Sequence, residues 1–362
     1  VQGIYQFELT VADNNGASAK DTMLVIVNLA PVANAGTDRL INLPTNTTTL
    51  TGSGSDVDGT ISSYAWVKLS GPASGTIATP NAAGTALNSL VQGTYQYQLT
   101  VTDNNGATSR DTVQVTVNQL PVANAGTDKL VNLPASTTTL TGSGSDADGT
   151  ISSYAWIKIS GPVSGTIVTA TAASTAVNNL IQGIYQFELT VTDNAGAASK
   201  DTIQVTVNQL PVANAGTDKL ITLPVNTTTL TGIGTDADGT ISTFAWVKIS
   251  GPSSGTIASP GSATTTLNSL AQGIYQYQLT VTDNNGATAK DTVQVIVNQP
   301  PVANAGSDKL INLPANSSTL TGIGSDADGT IITYAWLKIS GPSSGTIASP
   351  ATAATALNSL VQ

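Results

Sequence analysis

The sequence predicts an all-β protein built as a linear array of small antiparallel β-sandwiches, about seven strands in each. Three observations carry that expectation. A unit recurs at fixed spacing: PVANAG opens at Pro31, Pro121, Pro211 and Pro301, a step of 90 residues each time. Within a unit, Tyr95, Tyr97, Leu99 and Val101 alternate with Gln96, Gln98, Thr100 and Thr102, the period of a half-buried strand. Turn residues separate short strand-forming runs rich in Thr and Val, and no stretch reads as a helix.

A unit of this length suits one small domain with its own core. It is too long for a solenoid repeat, which runs roughly 20–50 residues. Three units are whole (31–120, 121–210 and 211–300). They are flanked by a C-terminal fragment of a repeat, 1–30, and an N-terminal fragment, 301–362. Val1-Gln2 matches Val91-Gln92, and Val361-Gln362 ends in the same phase. The stretch therefore reads as a window on a longer array.

The elements of the unit 31–120 follow in order. Leu40–Leu43 is a first short strand stopped by Pro44, and Thr47–Thr51 a second with Leu50 inward. The Gly-Ser run from Gly52 and the acidic Asp56–Gly59 form a turn. Ile61–Leu69 is the long central strand. Its two faces, Tyr64 with Trp66 and Ala65 with Val67 and Leu69, are both apolar, so alternation alone does not choose between them. The lone Trp66 is placed in the core, as sandwiches use it, and Lys68 beside it is expected to reach water at the strand end. Thr76–Ala78 and Ala86–Leu90 flank a variable loop, Thr79–Thr85. Tyr95–Thr102 and Asp111–Asn118 form a hairpin through Asp103-Asn104-Asn105-Gly106, where Asn-Gly supplies the positive φ of a tight turn. Asn118-Gln119-Leu120 then joins the next Pro121, a link short enough to hold neighbouring repeats close.

Composition narrows the chemistry. Charged residues make up 9% of the chain, far below the usual level of about a quarter. There is no Cys and no His, which removes disulfides, thiolate sites and histidine-based catalysis. The net charge of −10 argues against nucleic acid or an anionic membrane as partner. No apolar run approaches the ~18 residues of a membrane-spanning helix. In the unit 31–120, Asp38, Asp56, Asp58, Asp103 and Asp111 face only Arg39, Lys68 and Arg110. Asp38 has Arg39 beside it and Asp111 has Arg110, so the unbalanced acids are Asp56, Asp58 and Asp103.

The unit resembles a polycystic-kidney-disease (PKD) domain, an immunoglobulin-like sandwich common in exported bacterial proteins. The matching stretches are PVANAG (31–36), SDVDGTISSYAW (55–66), GTYQYQLTVTDNNGA (93–107) and VQVTV (113–117). Where many members follow the Trp with Asp-Phe-Gly-Asp-Gly, this chain has Val67-Lys68-Leu69-Ser70-Gly71-Pro72, so roles of that acidic stretch do not carry over.

The immunoglobulin-like topology implied by the resemblance brings the Asp56–Gly59 turn and the last hairpin turn to the end where the linker enters. Asn34, Asp56, Asp58 and Asp103 are then candidate ligands for a structural Ca²⁺, whose preference for hard oxygen they match. Related domains bind calcium at this end. The equivalent sets are Asn124, Asp146, Asp148 and Asp193, and Asn214, Asp236, Asp238 and Asp283. The plainer reading is solvated turn aspartates. No catalytic residue is expected, because glycosidase-like carboxylate pairs need a cleft, and Glu8 and Glu188 are the only two glutamates. Asn46-Thr47-Thr48, with counterparts at Asn226 and Asn316, has the form of an N-glycosylation sequon, and Asp111-Thr112-Val113 resembles a bacterial O-glycosylation signal.

The functional expectation is a spacer or stalk in a long extracellular bacterial surface protein, adhesin or filament, stiffened by short linkers and calcium. Each sandwich would add roughly 35–45 Å. The alternative is a set of binding modules that take a glycan or surface protein through loops such as Thr79–Thr85. Partners expected are the neighbouring repeats of the array. A third possibility is self-assembly into filaments, because fragments 301–362 and 1–30 are complementary halves of one sandwich.

Overall fold

A computed structural model describes residues 1–361. Every regular element among them is a β-strand, and no helix is long and apolar enough to cross a membrane. The chain divides into two compact units. One comprises Val1–Val131 with Ser136–Thr206, the other Asn132–Ala135 with the chain from Val207 onward.

In the first unit, β1 (Gly3–Ala12) and β2 (Ser18–Val27) form an antiparallel hairpin. The whole repeat that follows contains β3 (Val32–Asn34), β4 (Arg39–Asn42), β5 (Thr48–Thr51), β6 (Ser53–Ser55) and β7 (Ile61–Ser70). It continues with β8 (Thr76–Ile77), β9 (Gly84–Asn88), β10 (Gly93–Asp103) and β11 (Thr108–Asn118). A four-stranded sheet, β4-β11-β10-β7, packs on a three-stranded one, β5-β9-β8, with β3-β6 as a separate ribbon. The expected sandwich is present, with one parallel pairing, β4 beside β11.

The alternation read from β10 is its burial pattern. Tyr95, Tyr97, Leu99 and Val101 are buried, as are Val113, Val115 and Val117 of β11, Trp66 of β7, and Leu50 and Leu87 of the facing sheet. Trp66 takes the core face at 2% exposure, whereas Val67 and Leu69 on the other face are exposed. Its indole Nε1 donates to Ala83 O at 3.1 Å, which satisfies the one polar atom of the ring. Tyr95 anchors the start of β10, where the Val91 N–H donates to its hydroxyl at 2.9 Å.

Two expectations need correction. The Gly-Ser run is a strand, not part of the turn: Ser53–Ser55 pairs with Val32–Asn34. Its glycines are there for close approach. A Cβ on Gly52 would lie 2.6 Å from Leu99 Cδ2 and 2.7 Å from Trp66 Cζ2, and one on Gly54 would lie 2.6 Å from Val101 Cγ1. Lys68 is half-buried and folds back on its own chain instead of extending into water. Its ammonium donates to Pro72 O at 2.6 Å and Ser74 O at 2.7 Å and lies 5.7 Å from the Tyr95 ring centroid. Backbone carbonyls and a ring face thus replace part of the solvent shell.

In the second unit, residues 211–300 repeat this plan. Trp246, Tyr275, Tyr277, Leu279 and Val281 fill the core with Val293, Val295 and Val297. In the stretch from Pro301 the counterpart of β7, residues 331–339, has no strand assignment. The long antiparallel pairing of β7 is with β10, and this stretch has no such neighbour among the described residues.

Candidate functional site at the repeat joints

The acidic residues meet where one repeat enters the next. The β6–β7 turn and the β10–β11 turn are tied together through their backbones. Asn104 N donates to Thr60 O at 2.9 Å, and Thr60 N donates to Asn104 Oδ1 at 2.7 Å. The two turns approach so closely that a Cβ on Gly59 would sit 2.3 Å from Asn104 Oδ1 and 2.6 Å from Asp56 Oδ2. A side chain at 59 would have to displace the Asn104 amide and the Asp56 carboxylate.

Asp103 is the centre of this arrangement and is 1% exposed. Its Oδ1 accepts the N–H groups of Asn105 at 2.8 Å and Ala107 at 2.9 Å, which shapes the turn. Its Oδ2 accepts Asn28 Nδ2 at 2.7 Å, from the end of the preceding repeat. Asp58 Oδ2 accepts the next linker group, Leu29 N, at 3.1 Å. The same two contacts recur at the next joint of the first unit. Asn118 Nδ2 donates to Asp193 Oδ2 at 2.9 Å, and Gln119 N donates to Asp148 Oδ2 at 3.0 Å. In the second unit Asn208 and Gln209 reach Asp283 and Asp238 at 2.9 and 3.0 Å, and Gln299 N reaches Asp328 at 3.0 Å.

The electrostatics follow from these donors. The Asn28 amide, reinforced by turn N–H groups, holds the Asp103 carboxyl below its ordinary value of 3.8. At Asp193 and Asp283 burial pushes the carboxyl up, but the Asn118 and Asn208 amides with the turn N–H groups outweigh it, and both sit low. Asp56 behaves oppositely. Burial raises its carboxyl, and the nearby Asp58 and Asp103 charges add to the rise; Asp146 and Asp236 are raised for the same reasons. Both carboxylate oxygens of Asp56 are buried without a hydrogen-bond partner, as are Asp146 Oδ2, Asp236 Oδ2 and Asp238 Oδ1.

Of the four residue types expected to converge, three do. Asp56, Asp58 and Asp103 line one joint, with their equivalents at the others. Asn34 lies apart. It pairs with Ser53, three residues up the strand from Asp56, or about 10 Å by strand rise. Its Oδ1 accepts Gly36 N at 2.8 Å, a local turn bond repeated by Asn124 with Gly126 and Asn214 with Gly216. Among the described residues, no three Asp, Glu, His or Cys side chains form a ready metal-ligand group.

The acids assumed to be balanced by sequence neighbours are used differently as well. Asp111 Oδ2 accepts Ala35 N at 2.7 Å, and Asp38 Oδ1 accepts Gln114 N at 2.8 Å. Ion pairs among the described residues are Glu8–Lys20 and Glu188–Lys200.

The linker asparagines were not among the expected site residues. Their signal was present as an Asn at 28, 118, 208 and 298, in step with the repeat, but each reads from sequence as the last residue of a strand. Asn118 also donates to Asn42 Oδ1 at 3.2 Å within its own repeat, so one amide bridges two domains.

Comparison with known proteins agrees with this repeat structure. The family model for the PKD domain of KIAA0319-like proteins matches residues 35–117, 125–207, 215–297 and 305–362. The mouse dyslexia-associated protein KIAA0319-like protein is 35% identical over 93% of this chain and 34% of its own length. The human dyslexia-associated protein KIAA0319 is 34% identical over 93% of this chain and 33% of its own length. The chain thus spans about a third of those relatives. A solution structure of the PKD domain from KIAA 1837 protein is 39% identical, covering 24% of this chain and 85% of that one, with a TM-score of 0.23. With the family model matched four times across most of its length, this chain belongs to the KIAA0319-like PKD domain family.

Proposed function

We propose that the repeats serve as an extracellular spacer within a longer surface protein, with joints held by side-chain hydrogen bonds. The observation that supports this is the pairing of each linker with the acidic turns of the repeat after it. Hydrogen bonds to an ionised carboxylate are stronger than neutral ones. A three-residue linker whose first two residues are both bonded to the repeat that follows has little freedom to swing. The role in this reading is mechanical and not enzymatic. The spacer role does not depend on the bacterial adhesin or filament setting expected from the resemblance; the relatives named above are mammalian.

Limited proteolysis of the whole chain tests the spacer reading. Linkers 28–31, 118–121 and 208–211 should resist cleavage, and Asn28→Ala, Asn118→Ala and Asn208→Ala together should expose them while circular dichroism stays unchanged. Equal cleavage of both proteins would remove the basis for a rigid spacer.

A structural calcium ion at each joint is the second reading, favoured by the unpartnered oxygens of Asp56. They would supply the bare carboxylate ligands, with Asp58 and Asp103 contributing lone pairs beyond those already engaged. An ion that binds only the folded chain raises its melting temperature. Thermal melts with calcium and with excess chelator should therefore separate, and superimposed curves would leave the joints held by hydrogen bonds alone.

A further inference from the structure

Three hairpin turns carry Asn-Gly at the tip, Asn15-Gly16, Asn105-Gly106 and Asn285-Gly286, whereas 121–210 has Ala195-Gly196 there, and the last two Asn-Gly turns stand at a joint. The tip asparagine reaches into the joint. Asn105 Nδ2 donates to Asn28 Oδ1 at 2.6 Å, and Asn285 Nδ2 donates to Asn208 Oδ1. Asn28 and Asn208 are therefore gripped on both atoms of the amide, the oxygen by the tip asparagine and the nitrogen by Asp103 or Asp283. Ala195 offers no such donor, so the joint at Asn118 lacks this second bond.

We propose that Asn105 and Asn285 are self-modifying sites, where deamidation undoes the second bond of the joint. The Gly106 backbone nitrogen attacks Cγ of the Asn105 side-chain amide. A C–N bond closes a succinimide ring, the Gly106 proton passes to the departing amide nitrogen, and ammonia leaves. Water then opens the ring to aspartate or isoaspartate. Three features of the turn favour this. Gly106 and Gly286 present no Cβ beside the attacking nitrogen, and nothing lies within 4 Å of where one would stand. That nitrogen makes a long 3.3 Å bond to Asp103 O or Asp283 O, and its N–H also faces the Asp103 or Asp283 carboxylate. The neighbouring Asn104 differs: it precedes a bulkier residue, and its Oδ1 is fixed by Thr60 N.

The product changes the joint. A carboxylate at 105 turns an acceptor toward Asn28 Oδ1, itself an acceptor, and adds negative charge beside Asp103. The consequence for the joint rests on the spacer reading above; the covalent step does not. Joints at Asn28 and Asn208 loosen with age, and the joint at Asn118, which never had the second bond, keeps its Asp193 contact.

The whole chain, incubated at mildly alkaline pH and mapped by mass spectrometry, tests the chemistry. Asn105 and Asn285 should show the amide-to-acid mass gain while Asn104, Asn194 and Asn284 keep their amides. Asn28→Ala frees the Asn105 side chain and should speed its conversion about fivefold, the effect of releasing one ordinary hydrogen bond. Conversion at Asn105 and Asn285 no faster than at Asn194 would overturn the proposal. Linker cleavage then reads the consequence: Asn105→Asp should expose residues 28–31 to protease, and unchanged cleavage would overturn the release of the joint. If Asn28→Ala also leaves cleavage unchanged, the fault lies in the spacer reading and not in the deamidation.

Discussion

Asn118 Nδ2 donates to Asp193 Oδ2 across 2.9 Å, and both side chains are buried, at 6% and 1% exposure. An amide from the last strand of one repeat thereby completes the hydrogen bonding of a buried carboxylate in the next. Asp193 Oδ2 takes its side-chain donor from Asn118, and a buried polar atom that loses its partner bears the full desolvation penalty.

Replacing Asn118 with Ala should therefore cost the joint about 1–2 kcal/mol. The expected signature is faster hydrogen exchange in the 193–197 turn and new protease cleavage at residues 119–121, with unaltered strand content. Exchange indistinguishable from wild type would show that the bond contributes nothing in solution.

The joints should respond to pH in two opposed ways. Asp103, Asp193 and Asp283 have folded values below the ordinary 3.8. Their stabilisation is present above 3.8 and is lost as pH falls through the lower folded values. Asp56 has a folded value above 3.8, so its contribution is complete below 3.8 and is lost as pH rises through that higher value. Acidification from neutral should first stabilise the chain and then destabilise it. Thermal melts with Asp56, Asp146 and Asp236 all changed to Asn should lose the first phase only; persistence of the rise would assign it to another group.

Asp56→Asn also separates the two readings of the joint. Without calcium the variant should melt above wild type, since a buried unpartnered charge is removed. With calcium, the rise expected of wild type should shrink by the share of the joint at Asp56. A variant that still responds fully would move the ion away from Asp56.

The core predicts larger effects. Trp66→Ala should cost about 3–5 kcal/mol. Gly52→Ala should cost about 1–3 kcal/mol by overpacking against Leu99 and Trp66. Chemical denaturation should show each as a shifted transition of the repeat 31–120 alone; loss of structure in 211–300 as well would mean the repeats do not fold on separate cores.

Lys68→Met keeps the stem but removes the ammonium bound to Pro72 O and Ser74 O. Exchange in residues 71–75 should quicken, at a cost of about 1–2 kcal/mol. An unchanged rate would show that the carbonyls find other donors.

Periodicity made the array, most of the strands and most of the core legible from sequence. A step of 90 residues and the alternation through Tyr95–Val101 are properties of the chain that tertiary contacts only had to obey. Clustering of Asp56, Asp58 and Asp103 could also be reached, because sandwich topology puts those turns at one end. What sequence could not decide was which atoms meet. Asn34 carries the right chemistry but faces its own turn, because strand register sets it opposite Ser53. Gly52 reads as a turn residue, and only the approach of Trp66 and Leu99 shows that it is a packing contact. Asn118 reads as a strand end, and its role appears only when the next repeat brings Asp193 to it. Repeat, strand and core follow from local pattern and side-chain polarity, which are written along the chain. The joint depends on distances of a few ångströms between residues 75 positions apart, and only the folded backbone sets those.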